Sequence, residues 1–172
     1  HSDKTLSEYA KSYCWIHGTS YVRKALQGKV RTWILRKPCV NMSSLPDIYF
    51  QTRFRSSVPI LQWPKAFAIV TAWPTTGEIW SEEEIQIQAK RLQEVLKQRD
   101  AWSAELTGYS PEDGHAEPGW AVELNFDEAC TLGLFFRQHA LYWVVEDQLF
   151  VSLCDSERQP VLVGSFRDKL DR

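Results

Sequence analysis

The chain has no long apolar run. Its longest, Ala66 to Ala72 and Ala140 to Val145, have the length of a strand. A membrane-crossing helix needs about 20 consecutive apolar residues, so none is expected. No basic segment leads into an apolar stretch near residue 1, so no signal peptide is read there. Cysteine is sparse. Cys14, Cys39, Cys130 and Cys154 form no CxxC pair, so the expectation is a reduced, cytoplasmic protein without a disulfide framework. No Gly-rich phosphate loop is present, and no GxSxG elbow. The histidines are His1, His17, His115 and His139, and none forms HxxxH. Cys14 and His17 make a lone CxxH, short of the four ligands that zinc takes. His115 and Glu117 make an HxE pair without the PCxxC partner of the zinc deaminases. Neither metal nor cofactor is expected. Cys130 and Cys154 fall on apolar elements, where thiols are usually buried and inert.

What is present suits a folded chain. The 172 residues are 44% hydrophobic and 24% charged, which excludes a largely disordered protein and fits one core. The net charge of -2 conceals a division. Residues 1–41 carry eight Lys/Arg against two acids, a net of +6. That leaves 12 of the 20 basic residues and 20 of the 22 acids for the remainder, a net of -8. Met42 is the single methionine, and residues 1–41 are read as a basic extension, native or upstream of a start at Met42. Leu6, Tyr9, Ala10, Tyr13 and Cys14 recur at helical spacing, and Lys29 to Leu35 reads as a strand between Gly28 and Pro38. Ser43 to Asp47 is turn-like.

Residues 42–172 read as a single α+β domain. Ala66 to Ala72 is a strand. Ser81 with Glu84 forms a capping box, and Ile85, Ala89, Leu92, Val95 and Leu96 make the apolar stripe of the helix that follows. Glu82 to Glu84 at its start and Lys97 and Arg99 near its end suit the helix dipole. Trp102 to Tyr109 and Gly119 to Leu124 read as strands. Asn125 with Glu128 caps a second helix, whose stripe is Phe126, Ala129, Leu132 and Phe136. Ala140 to Val145 and Gln148 to Cys154 form a hairpin about Glu146-Asp147, whose second strand is a possible exposed edge for pairing subunits. Pro160 to Val163 is a short extra strand. The order β-α-β-β-α-β is the split β-α-β, ferredoxin-like pattern, with an added C-terminal strand and the N-terminal extension. The right-handed crossover makes the first two strands parallel, and the fourth runs with the third. Both helices are expected on one face of an antiparallel-rich sheet.

The segment Phe67-Ala68-Ile69-Val70-Thr71-Ala72-Trp73-Pro74 resembles the opening motif of the bacterial family called domain of unknown function 3293. The resemblance continues through Ser81 and Leu92, then Glu117-Pro118-Gly119-Trp120-Ala121-Val122, then Phe136-Arg137-Gln138-His139-Ala140, covering roughly residues 49–154. The family pattern has Asn where this chain has Trp73, Ile85 and Ala89, so any polar role of those asparagines is lost here. The resemblance implies a fold and an origin and no activity.

The expected topology gathers Thr71, Glu117 and Gln138 at one end of the sheet, with His139 beside them, His115 on the loop above and Trp73 to Trp80 as cover. Glu117, His115 and Gln138 are the catalytic candidates, able to supply a general base and hydrogen bonds. Thr71, Trp73, Trp80, Gln138 and His139 are the binding candidates. Structural roles compete: Glu117 at a strand start and Gln138 at a helix end can satisfy backbone groups. Glu82 to Glu84 oppose a phosphate at the first helix N-terminus. Of the eight tryptophans, Trp63, Trp102, Trp120 and Trp143 are expected mostly in the core, while Trp73 and Trp80 flank a loop, as interface aromatics do. The first expectation is therefore a non-catalytic, protein-binding or regulatory domain whose partner is another protein. The alternatives are a small-molecule enzyme using Glu117, His115 and Gln138, or a nucleic-acid binder. The latter would use Arg23, Lys24, Lys29, Arg31, Arg36 and Lys37 against the acidic body.

Overall fold

The computed structural model describes residues 45–74 and 78–171, which all fall in one compact unit, residues 38–172. The expected helix and strand of the extension, and its six basic candidates from Arg23 to Lys37, lie outside the described residues. The elements are α1 (Ile48–Gln51), β1 (Arg53–Arg55), β2 (Ala66–Thr71), α2 (Glu82–Lys97), β3 (Ser103–Tyr109), β4 (Ala116–Val122), α3 (Phe126–Phe135), β5 (Ala140–Val145), β6 (Gln148–Leu153), β7 (Val161–Ser165) and α4 (Phe166–Lys169). The fold is α+β.

Seven strands form one sheet in the order β1-β3-β4-β2-β5-β6-β7, and every neighbouring pair is antiparallel. Since β2 and β3 each run against β4, they point the same way. Both expected capping boxes are present. Ser81 accepts from the Glu84 N–H and Asn125 from the Glu128 N–H, and each glutamate reaches back to the cap. Each box satisfies donors that the first helical turn leaves open.

Strand alternation sends side chains to opposite faces. Ala68, Val70 and Val122 meet Leu92 and Leu96 of α2 and Ala129, Cys130 and Leu132 of α3 on one face. Phe67, Ile69, Leu106, Ala121 and Val144 point to the other, where no long helix lies. There Phe54, Trp63, Trp102 and Phe166 from short segments form an aromatic cover. Trp63 stacks on Phe67 at 5.1 Å, and Phe166 meets both edge-on at 4.9 and 5.2 Å. Edge-on contacts of this kind add about 0.5–1.5 kcal/mol to area burial.

Several expectations are corrected. The third strand begins at Ala116, not Gly119, so Glu117 and Pro118 lie inside it. Pro118 is tolerated because β2 ends at Thr71, opposite Gly119, so no β2 donor is required of it. Residues 48–55 supply α1 and β1, too short for a periodic signal, yet Phe54 is fully buried. The α2 stripe is narrow: only Leu92 and Leu96 are buried, and Ala89 is exposed. The last strand runs through Ser165 into α4, and it covers the outer edge of β6, so β6 offers no free edge. Asp147, in the hairpin turn, holds α4. It accepts from Ser165 Oγ at 2.8 Å and from the Arg167 and Phe166 backbone at 3.0 and 2.7 Å. Trp73 and Trp80 are half-buried.

Candidate functional site

Beyond the aromatic cover, the helix-free face opens into a cleft of about 520 Å³. Its floor is set by register. Ile69 lies opposite Tyr142, Thr71 opposite Gly119, and Gly108 opposite Glu117. Alternation therefore puts Ile69, Thr71, Gly108, Glu117 and Tyr142 on the cleft side. Gly108 leaves space there, since a Cβ would only touch Phe54 and Thr52 at 3.7 Å. Tyr49 and Thr52 of the α1 region line it, as do Trp73, Pro74, Glu78, Ile79 and Trp80.

The residues expected to converge do so. Thr71 Oγ1 donates to Gln138 Oε1. Gln138 Nε2 donates to the carbonyls of Trp73 at 2.9 Å and Phe136 at 3.3 Å. His115 Nε2 lies 3.2 Å from Glu117 Oε1, and Tyr49 Oη 2.7 Å from His139 Nδ1. Trp73 meets the His115 ring edge-on at 6.3 Å. His115 is placed by a tight β3–β4 connection: its carbonyl accepts from Ser110 N at 2.8 Å and its N–H donates to Asp113 at 3.0 Å.

Gln138 is thus engaged within the chain, and the end of α3 shows why. The Arg137 N–H reaches the Leu134 carbonyl at 3.0 Å, and the Gln138 N–H reaches the Gly133 carbonyl at 2.8 Å. These two bonds define a Schellman cap. Arg137 takes the left-handed position, φ 56°, where glycine is usual. It puts its guanidinium 2.5 Å from Glu78 Oε1, while Trp80 Nε1 donates to Glu78 Oε2 at 3.0 Å. Two consecutive cap residues therefore fasten the wall segment, Gln138 at Trp73 and Arg137 at Glu78.

Burial, and after it the charge of Glu117, pushes the Tyr49 phenol up to about 12. Burial likewise raises Tyr142, whose Oη donates to the Tyr49 carbonyl at 2.9 Å. Both rings stay protonated at neutral pH and serve as walls and hydrogen-bond donors. The thiols of Cys130 and Cys154 are raised by burial and lie in the core on the helix side. Among the described residues no His/Cys/Asp/Glu group has a metal-holding arrangement.

Sequence reasoning missed Tyr49, Phe54, Gly108, Tyr109 and Tyr142 as lining residues. Alternation along β5 signalled that Tyr142 opposes Leu141. Nothing local signalled Tyr49, which reaches the cleft from a separate segment.

The family described as "Protein of unknown function (DUF3293)" matches residues 70–141. Residues 70–141 belong to the DUF3293 family. No curated protein and no solved structure matches the chain. The DUF3293 segment starts inside β2 and ends in β5, within the 49–154 span of the resemblance. It holds Thr71, Trp73, Glu78, Trp80, Gly108, His115, Glu117, Gln138 and His139, whereas Tyr49, Phe54 and Tyr142 lie outside it. No described helix is long and apolar enough to cross a membrane.

Proposed function

We propose that this DUF3293 chain is a small-molecule-binding, regulatory domain whose ligand enters the cleft on the helix-free face. One observation carries the reading: the cleft of about 520 Å³ walled by Tyr49, Phe54, Trp73, Trp80, Tyr109 and Tyr142, with the His115–Glu117 and Tyr49–His139 pairs facing it. Mostly apolar walls, a few polar groups and a volume of about 300–1,000 Å³ characterise ligand sites. Binding is favoured over catalysis because the Thr71 hydroxyl is engaged with Gln138 and the Tyr49 phenol stays protonated. The strand order β5-β2-β4-β3 supports the split β-α-β reading of the core, with the cleft on the face its helices leave open. Cys130 and Cys154, both free and buried, support a cytoplasmic setting.

The test is a thermal-shift screen of small molecules against the wild type and Gly108→Leu, which fills the cleft floor. Hits that stabilise the wild type and not the variant are expected. Hits that stabilise both equally place binding elsewhere and remove the reading.

A second reading, contact with another protein, is favoured by Ile79, which is 98% exposed beside Trp80 at the cleft lip. Ile79→Lys abolishing capture of a partner, with ligand hits unchanged, would favour it. Conversion of a hit to product, lost in Glu117→Ala while binding persists, would favour an enzyme.

A further inference from the structure

The charge of the cleft selects its ligand. Among the described residues no lysine or arginine lines it; the ionisable lining residues are Glu78, Glu117, His115, His139 and the tyrosines Tyr49, Tyr109 and Tyr142. Glu78 has both oxygens engaged, by Arg137 and by the Trp80 indole. Glu117 differs. His115 occupies Oε1, and Oε2 takes part in no hydrogen bond among the described residues. Its side chain is 36% exposed and lines the cleft, where a ligand can meet it. That field reaches Tyr49 and Tyr142, whose ionisation it opposes. An anionic ligand would meet the same repulsion.

The rings supply the complementary part. Tyr49 and Tyr142 lie 6.4 Å apart at an interplanar angle of 66°, so a face and an edge meet at a corner. Trp73 and Trp80 line the same cleft, and Phe54 is set 5.1 Å from Tyr142. Aromatic faces attract cations through their quadrupole, most strongly where water is excluded. Tryptophan and tyrosine walls with one carboxylate are how proteins hold alkylated ammonium groups.

We infer that the cleft binds a small organic cation, its alkylammonium group set between Glu117 and the rings of Tyr49, Trp73, Trp80 and Tyr142. This rests on the small-molecule reading above and narrows it to one chemistry. The group could sit on a free molecule or on a modified side chain, and the two are separable by experiment.

The experiment titrates the full chain with choline chloride, with its uncharged isostere 3,3-dimethylbutan-1-ol, and with a short peptide bearing trimethyl-lysine. Sodium chloride matched in concentration controls for ionic strength. Tryptophan fluorescence and thermal shift are the readouts. The expected result is a saturable response to a cation at least tenfold tighter than to the isostere. It should be weakened on the order of tenfold in Glu117→Gln and abolished in Gly108→Leu. Choline binding tighter than the peptide identifies a free molecule, and the reverse identifies a side chain. Equal responses to choline and isostere, or an unchanged cation affinity in Glu117→Gln, overturn the inference. If neutral or anionic molecules bind in a Gly108→Leu-sensitive way and cations do not, the cleft reading stands and the cation does not. If no molecule of any charge binds, both fall.

Discussion

The two faces of one sheet are finished differently. On one, α2 and α3 lay small and aliphatic residues over Ala68, Val70 and Val122. On the other, rings delivered by β1, the 56–65 segment, Trp102 and α4 cover only part of the strands. Helices 16 and 10 residues long pack on the central strands of their face, whereas short segments leave an end of the other open. The opening lies where β2 stops at Thr71 and the chain turns away, and the polar residues gather there. Thus a regular layer gives the molecule its core, and an irregular layer leaves room for a ligand.

The comparison can be tested by substitution. The largest effect is expected from Phe67→Ala, which removes the ring on which Trp63, Trp102 and Phe166 pack. A loss of about 3–5 kcal/mol in urea unfolding is expected, at or above the roughly 2–5 kcal/mol of Leu132→Ala on the helix side. If Phe67→Ala costs under about 1 kcal/mol, the aromatic layer is not a second core.

The glycines give a sharper contrast. At Gly133 a Cβ would lie 2.5 Å from Cys154 Sγ in the packed layer, whereas at Gly108 it meets only ordinary contacts. Gly133→Ala should cost about 1–3 kcal/mol, largely restored by adding Cys154→Ala, while Gly108→Ala should be close to neutral. Equal costs at both positions would mean that the cleft is as tightly filled as the core.

Gln138→Ala removes three hydrogen bonds, to Thr71, Trp73 and Phe136. A loss of about 1–3 kcal/mol is expected, with a red shift in tryptophan emission as Trp73 gains water. Arg137→Gly keeps the cap geometry and releases Glu78, so its cost should be smaller.

The smallest effect concerns pH. Tyr49 ionises near 10 when unfolded and about 12 when folded. Between those values the folded state holds more protons, so the stability this group contributes is complete below pH 10 and is lost as pH rises towards 12. After allowance for its partial exposure the loss is about 1 kcal/mol. Tyr49→Phe should flatten that part of the alkaline stability curve; an unchanged slope would place the phenol in solvent.

Much of the fold was legible because its signals are local. The two capping boxes depend on residues three apart, and both helices begin where Ser81 and Asn125 predict. The hairpin at Glu146-Asp147 forms between two apolar runs, with Glu146 in the left-handed region. What escaped was short or irregular. β1 has three residues and is held by pairing with β3 and by Leu170 beside Phe54, which no window on residues 53–55 can show. β4 began early because Thr107, Gly108 and Tyr109 of β3 pair with Pro118, Glu117 and Ala116 and extend it.

The site divides in the same way. Sequence order and alternation were enough to bring Thr71, Glu117, Gln138, His115 and His139 to one end of the sheet, because strand direction and a period of two decide which ends and faces meet. They also showed which residue types would be there: one carboxylate, two imidazoles and several rings. Only the tertiary structure decided how those residues are used. It engaged Gln138 in holding Trp73, paired Glu78 with Arg137, brought Tyr49 to His139 across 90 positions of chain, and set Glu117 in the lining of a cleft. Hydrogen-bond partners and enclosed volume depend on distances between segments remote in sequence, and no local propensity encodes them.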